Sequence, residues 1–266
     1  MPALNADNLV WLCMGELAIK SVFNTILTNN EAVHLAEYLI CNSFYELEHF
    51  VFKMIPNFKP IRPLLLSSRF ANFWSEDSTC LTWFNEQPAE SVIYVAFRSF
   101  TVFNKQQFDE LAIGLELSGK PFLWVVQPDL TERPDNVYPD RFEKRVAGQG
   151  RMVGWAPQRE VLAHPSITCF LTHCGWNSTM EGVSTGVPFL TWPFFGDQLF
   201  NQSYICDIWK VGLRLNHNGN GIISSDEITK KVDGLLEDEG IKTRALKLKE
   251  IEMNSISKSG VFFKEF

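Results

Sequence analysis

The tightest constraint on this fold lies in a 44-residue stretch, Trp155 to Gln198. Within it, Ile167 to Leu171 is a short apolar run with a β-branched start, the pattern of a buried strand. His173, Cys174 and Gly175 follow as a polar turn. Asn177 and Ser178 are both good N-caps, and Glu181 stands three residues after Ser178, the capping-box spacing that opens a helix. Gly186 stops that helix, Val187 to Trp192 is a second apolar run, and Pro193 closes it. Such a strand–turn–helix–strand unit aims a helix N-terminus at the edge where its first strand ends. Unpaired N–H groups and the positive end of the helix dipole make an anion site there. The dipole contributes only about 0.3–1 kcal/mol, so holding a phosphate calls for further donors, which His173, Asn177 and Ser178 can supply.

The flanks add to this. Arg151 to Trp155 has a strand pattern, and Pro157 starts a short helix through Leu162. Trp155 is then expected at a strand's C-terminal end, on the edge of the anion site. Stacking a base on an indole contributes about 1–3 kcal/mol. Past a Pro-Phe-Phe-Gly loop, Asp197 and Gln198 offer acceptors and a donor for sugar hydroxyls. Taken singly these residues have plainer readings: a helix cap for Glu181, core for Trp155, a turn histidine for His173, a solvated loop acid for Asp197. Their joint occurrence at fixed spacing is what argues for a nucleotide diphosphate sugar.

With its sub-motifs WAPQ, HCGWNS, Glu181-Gly182, Gly186-Val187-Pro188 and Asp197-Gln198, the stretch resembles the signature box of plant secondary-product UDP-glycosyltransferases, and the likeness runs from about Leu39 to about Ser257. The resemblance implies roles by position. Trp155 stacks on uracil, and the Ala156 backbone and Gln158 bond uracil or ribose. His173, Asn177 and Ser178 hold the diphosphate, Ser99 and Gly175 belong to the UDP-sugar site, and Glu181 bonds the ribose. Trp176, Asp197 and Gln198 meet the sugar, with Gln198 favouring glucose. It implies an α/β, GT-B-type fold with a nearly complete, doubly wound Rossmann-like donor domain and an N-terminal acceptor domain mostly missing. The expected division is 1–52 as the end of the acceptor domain, 53–85 as linker, 86–258 as donor domain and 259–266 as tail. The implied reaction moves a sugar from the UDP-sugar donor to a hydroxyl of a small acceptor, such as a phenolic or terpenoid, with inversion and with neither metal nor other cofactor.

The rest of the chain is consistent with that architecture. Ser91 to Phe97 and Phe122 to Val126 are buried-strand patterns. Between them Asn104 to Gly119 places Phe108, Leu111, Ala112 and Leu115 on one helical face. Val211 to Leu215 is a last strand candidate, and Ser225–Leu236 and Ile241–Ile256 are charged amphipathic helices. Alternating strands and helices imply a parallel sheet covered on both faces, with ligands at the strands' C-terminal ends. Near the start, Asn8 to Asn29, Glu31 to Glu37 and the FYELE run at 44–48 read as helical, and Tyr38 to Cys41 as a strand. Prolines at 56, 60 and 63 suit a linker.

The net charge of −7, with no basic stripe, argues against a nucleic-acid partner. Six scattered cysteines without a CxxC pair fit reduced thiols and a cytoplasmic setting. No apolar run reaches membrane-spanning length, and a monomer is expected. The five histidines show no metal-ligand cluster. Gly182 to Gly186 matches G-x-S-x-G, but it lies at a helix's end rather than in the strand-to-helix turn of a hydrolase.

Three positions depart from the family pattern: Arg98, Arg62 and Thr168 each stand where it usually has glycine. The family's catalytic base, a histidine near the start of a full-length chain, has no counterpart in His34, so no catalytic residue is assigned. A general base is typically worth about 10²–10⁴-fold. The chain is therefore expected to hold donor without transferring sugar by itself. The other readings are a non-catalytic UDP-sugar-binding or regulatory protein, or a product without function. Arg98 brings bulk and charge to the backbone that nears the diphosphate. Arg98→Gly is expected to tighten UDP binding measured by calorimetry, and an unchanged dissociation constant sinks the idea.

Overall fold

The computed structural model describes residues 16–61, 79–97, 103–126 and 138–259. Six strands form one parallel sheet: β3 (Val92–Ala96), β4 (Phe122–Val125), β5 (Gly150–Val153), β6 (Ile167–Thr172), β7 (Phe189–Thr191) and β8 (Gly212–Arg214). Their spatial order is β5-β4-β3-β6-β7-β8. The chain winds outward from β3 to β5, returns to place β6 on the other side of β3, and winds outward again. This reversal is the crevice where doubly wound sheets bind ligands.

The strands are continuous apolar runs because both faces of the sheet are covered. Side chains alternate between two cores. Val92, Tyr94, Ala96, Leu123 and Phe170 face one, while Ile93, Val95, Phe122, Trp124, Cys169 and Leu171 face the other. On the first face Tyr94 stacks on Phe170 with ring centroids 5.1 Å apart. On the second, α4 (Lys105–Leu117) and α9 (Ser225–Glu237) pack together, with Asn104 capping α4 by accepting the Gln107 N–H at 2.8 Å. α7 (Trp176–Thr185) and α10 (Glu239–Ser259) cover the first.

Ahead of this domain stand α1 (Glu16–Val33), β1 (Leu39–Cys41), α2 (His49–Met54) and β2 (Phe58–Pro60), with β1 and β2 paired in parallel. Two strands alone are marginal. This part leans on the donor domain through Phe44 and Leu47, both buried in the same cluster as Met180 and Ile205.

Several expectations change. The FYELE run is a turn rather than a helix, and α1 continues through Val33 in place of a separate helix over 31–37. Strand β2 lies inside the stretch assigned to the linker, because its backbone pairs with β1. The capping box fails: α7 opens at Trp176 behind Gly175, and the capping residue makes no side-chain bond. Ser178 and Glu181 are drawn away by a tertiary partner described below, which outcompetes a local cap. Thr168 falls at the register shift between β3 and β6, where Val92 faces Ile167 and Ile93 faces Cys169. Its φ is not positive, so a side chain is tolerated in this bulge. Arg62, Arg98 and Ser99 lie outside the described residues.

Phe170 is fully buried between the rings of Tyr94 and Phe189. Phe170→Ala is expected to cost about 3–5 kcal/mol, read as a lowered midpoint in urea denaturation.

Candidate functional site

The C-terminal strand tips gather most of the expected residues on one edge. Trp155 lies two residues past β5, His173 directly past β6, and Asp197 six residues past β7. From β5 to β7 is four strand spacings, about 19 Å. The β6–α7 turn lies between them.

That turn is built tightly. Cys174 adopts φ 65°, a left-handed conformation that costs a non-glycine residue about 1–2 kcal/mol. The strained peptide is strapped: Asn201 Nδ2 donates to the Cys174 carbonyl at 2.9 Å and to Asp197 Oδ2 at 2.9 Å. One amide thereby ties the β6–α7 turn to the loop that carries Asp197. Burial pushes the Cys174 thiol well above its usual range and Cys169 up to about 12, so neither is a nucleophile at neutral pH. Gly175 follows with its carbonyl accepting the Thr179 N–H at 2.9 Å. A Cβ here would sit 2.5 Å from His173 Nε2, so the imidazole is folded back across Gly175 at the mouth of α7. Having no side chain, Gly175 cannot cap the helix. Among the described residues no side-chain cap bond from Gly175 meets the first-turn N–H groups, which have no partner within the helix itself.

Gln158 sits in a polar network of this chain's own side chains. It opens α6 (Gln158–Leu162), and its Nε2 donates to Ser178 Oγ at 3.0 Å and Glu181 Oε2 at 2.5 Å, while Oε1 accepts from the Tyr94 hydroxyl at 3.3 Å. Gln158 therefore links the Trp155 loop to α7 and orients Glu181. Ser178 is buried with its hydroxyl turned into this network, so its backbone N–H is the group left at the helix mouth. Ala156 is buried and Trp155 half-buried beside it. The Trp176 indole N–H donates to the Asn42 carbonyl at 2.7 Å, toward the first-domain part. Gln198 opens α8 (Gln198–Ser203), and its Oε1 accepts from the Phe194 and Phe195 N–H groups at 2.9 and 3.2 Å. Its amide nitrogen is the end that a sugar hydroxyl could meet. Asp197 and Asn177 are exposed.

Sequence reasoning missed Asn201, Tyr94 and Asn42. Asn201 stands four residues after Asp197 on one helix face, a local spacing that could have found it; the other two carry no such signal.

An open helix N-terminus lies at the reversal point of a Rossmann-type sheet, with an indole at one flank and a carboxylate–amide pair at the other. The family model described as UDP-glucoronosyl and UDP-glucosyl transferase matches residues 15–263. The chain is 42% identical over 270 residues to UDP-glycosyltransferase 83A1 of Arabidopsis thaliana, spanning 98% of this chain and 56% of that protein. Among solved structures it is similar to Phytolacca americana UGT2 complexed with UDP-2fluoro-glucose and pterostilbene, at 35% identity and TM-score 0.72, covering 84% of this chain and 52% of that one. A UDP-glucosyltransferase from Polygonum tinctorium capable of glucosylating indoxyl matches at 37% identity and TM-score 0.73, covering 81% and 50%. The chain belongs to the UDP-glycosyltransferase family and shares its GT-B-type fold. It spans about half the length of these relatives.

Gly175 has φ −61° and ψ 144°, values open to alanine, so Gly175→Ala tests the cradle rather than the backbone. Displacing His173 is expected to weaken UDP binding about tenfold with little change in thermal midpoint.

Proposed function

We propose that this chain forms the donor side of a glycosyltransferase that moves glucose from UDP-glucose to a hydroxyl of a small acceptor, such as a phenol or terpenoid. The observation that carries this is the open N-terminus of α7 at the sheet's reversal point, between Trp155 and Asp197 on the same edge. Uracil lies on Trp155, and the diphosphate on the α7 N–H groups with His173 and Asn177. The sugar lies toward Asp197 and the Gln198 amide, with Glu181 turned to the ribose by Gln158.

In the reaction the acceptor oxygen attacks the anomeric carbon from the side opposite UDP. The new C–O bond forms as the bond to the β-phosphate oxygen breaks, and the acceptor's proton passes to a base. The negative charge that grows on UDP falls on the helix N-terminus, where N–H groups already point at it. This chain's residues hold and stabilise the leaving group, and none of its assigned site residues takes the base's role. The glucose reading draws on Gln198. It also draws on the Phytolacca americana relative solved with UDP-2fluoro-glucose and the Polygonum tinctorium enzyme described as glucosylating indoxyl.

Calorimetry with UDP and a transfer assay with UDP-glucose and a panel of phenols test this. Trp155→Ala is expected to weaken UDP binding by about 1–3 kcal/mol, roughly five- to 150-fold. Absence of UDP binding by the wild-type chain overturns the proposal. Binding without transfer to any acceptor leaves a nucleotide-sugar-binding protein.

A further inference from the structure

The loop after β1 reaches the same helix end. Asn42 touches the first two residues of α7: its carbonyl accepts from Trp176 Nε1 at 2.7 Å, and its Nδ2 donates to Asn177 Oδ1 at 3.1 Å. These partners are 134 and 135 residues away in the chain. The loop is firmly seated, because Phe44 and Leu47 just behind Asn42 are buried against the donor domain.

An asparagine side chain can present its carbonyl or its amide, two ends alike in shape and opposite in partial charge. A diphosphate attracts only the donor end. An exposed Asn177 without a fixed neighbour samples both, and half of those orientations repel the ligand. By donating to Oδ1, Asn42 occupies the acceptor end and leaves Asn177 Nδ2 as the end to offer a phosphate, beside the first-turn N–H groups. The second contact holds the indole of Trp176, the residue that starts the helix.

We infer that Asn42 is a positioning residue for the diphosphate, acting through the amide of Asn177. The inference rests on the reading of the α7 N-terminus as the diphosphate site. It makes the seating of the first-domain part on the donor domain a determinant of donor affinity.

The test uses the full chain, with UDP followed by calorimetry and uridine by ligand-observed NMR. Asn42→Ala is expected to weaken UDP binding about twofold, because half of the orientations of a released Asn177 no longer offer a donor, and to leave uridine binding unchanged. Asn42→Asp keeps size and packing but can only accept, drawing Asn177 Nδ2 inward. It is expected to show a larger selective loss than the alanine variant, and to show it even if that variant is unstable. In an Asn177→Ala background, Asn42→Ala is expected to cost nothing more, because the two act as one unit. Equal losses for UDP and uridine, or losses that simply add, overturn the inference as a general packing effect. Unchanged UDP affinity in both Asn42 variants, with Trp155→Ala still weakening it, overturns this inference alone. No UDP binding by the wild-type chain overturns the site reading and this inference with it.

Discussion

The uncapped first turn of α7 is the interaction on which the rest is built. A helix that starts on Gly175 has no side chain to turn back on its own N–H groups, and buried N–H groups without acceptors are costly. The fold keeps them at the edge of the sheet rather than in the core. The reversal of strand order between β3 and β6 opens that edge into a crevice. An anion placed there meets donors already oriented, with no local cap to displace.

Around this opening, polar side chains act as struts. Gln158 joins β3, α6 and α7 through Tyr94, Ser178 and Glu181. Asn201 joins the Cys174 turn to Asp197, and Gln198 holds the loop through Phe194 and Phe195. These bonds are mostly buried or half-buried, where a satisfied network is rigid and a broken one is costly. The Trp155 loop, the helix mouth and the Asp197 loop are thus held in one frame. Preorganisation of this kind lets donor groups meet growing charge without first rearranging.

The part before residue 61 is bound into the same frame. Its two-stranded sheet has little core of its own, and Ile40 on β1 is 73% exposed. Among the described residues it is attached by Phe44 and Leu47 in the larger domain's core and by Asn42 at the start of α7. Packing and polar contact converge on the loop at 42–47, so that loop fixes where this part sits relative to the β6–α7 turn.

Much of this was legible in the residues themselves. Strands β3, β4 and β6 follow from apolar runs, α4 from its periodicity, and the end of α7 from Gly186, which takes φ 74°. These are local signals, set by propensity and period. The placement of Trp155, His173 and Asp197 on one edge also follows, because parallel strands put all their C-terminal ends together. What the sequence could not state is which partner each polar side chain takes. Ser178 and Glu181 have the spacing of a cap, yet Gln158, twenty or more positions earlier, claims them once α6 packs on α7. The Trp176 indole turns to Asn42, and Gln198 turns to its own loop. Hydrogen bonds are decided by distance in space, and a side chain with several satisfying partners takes the one that packing brings within reach. The backbone frame is thus written in the order of residues, whereas the use of each donor and acceptor is settled only when the elements meet.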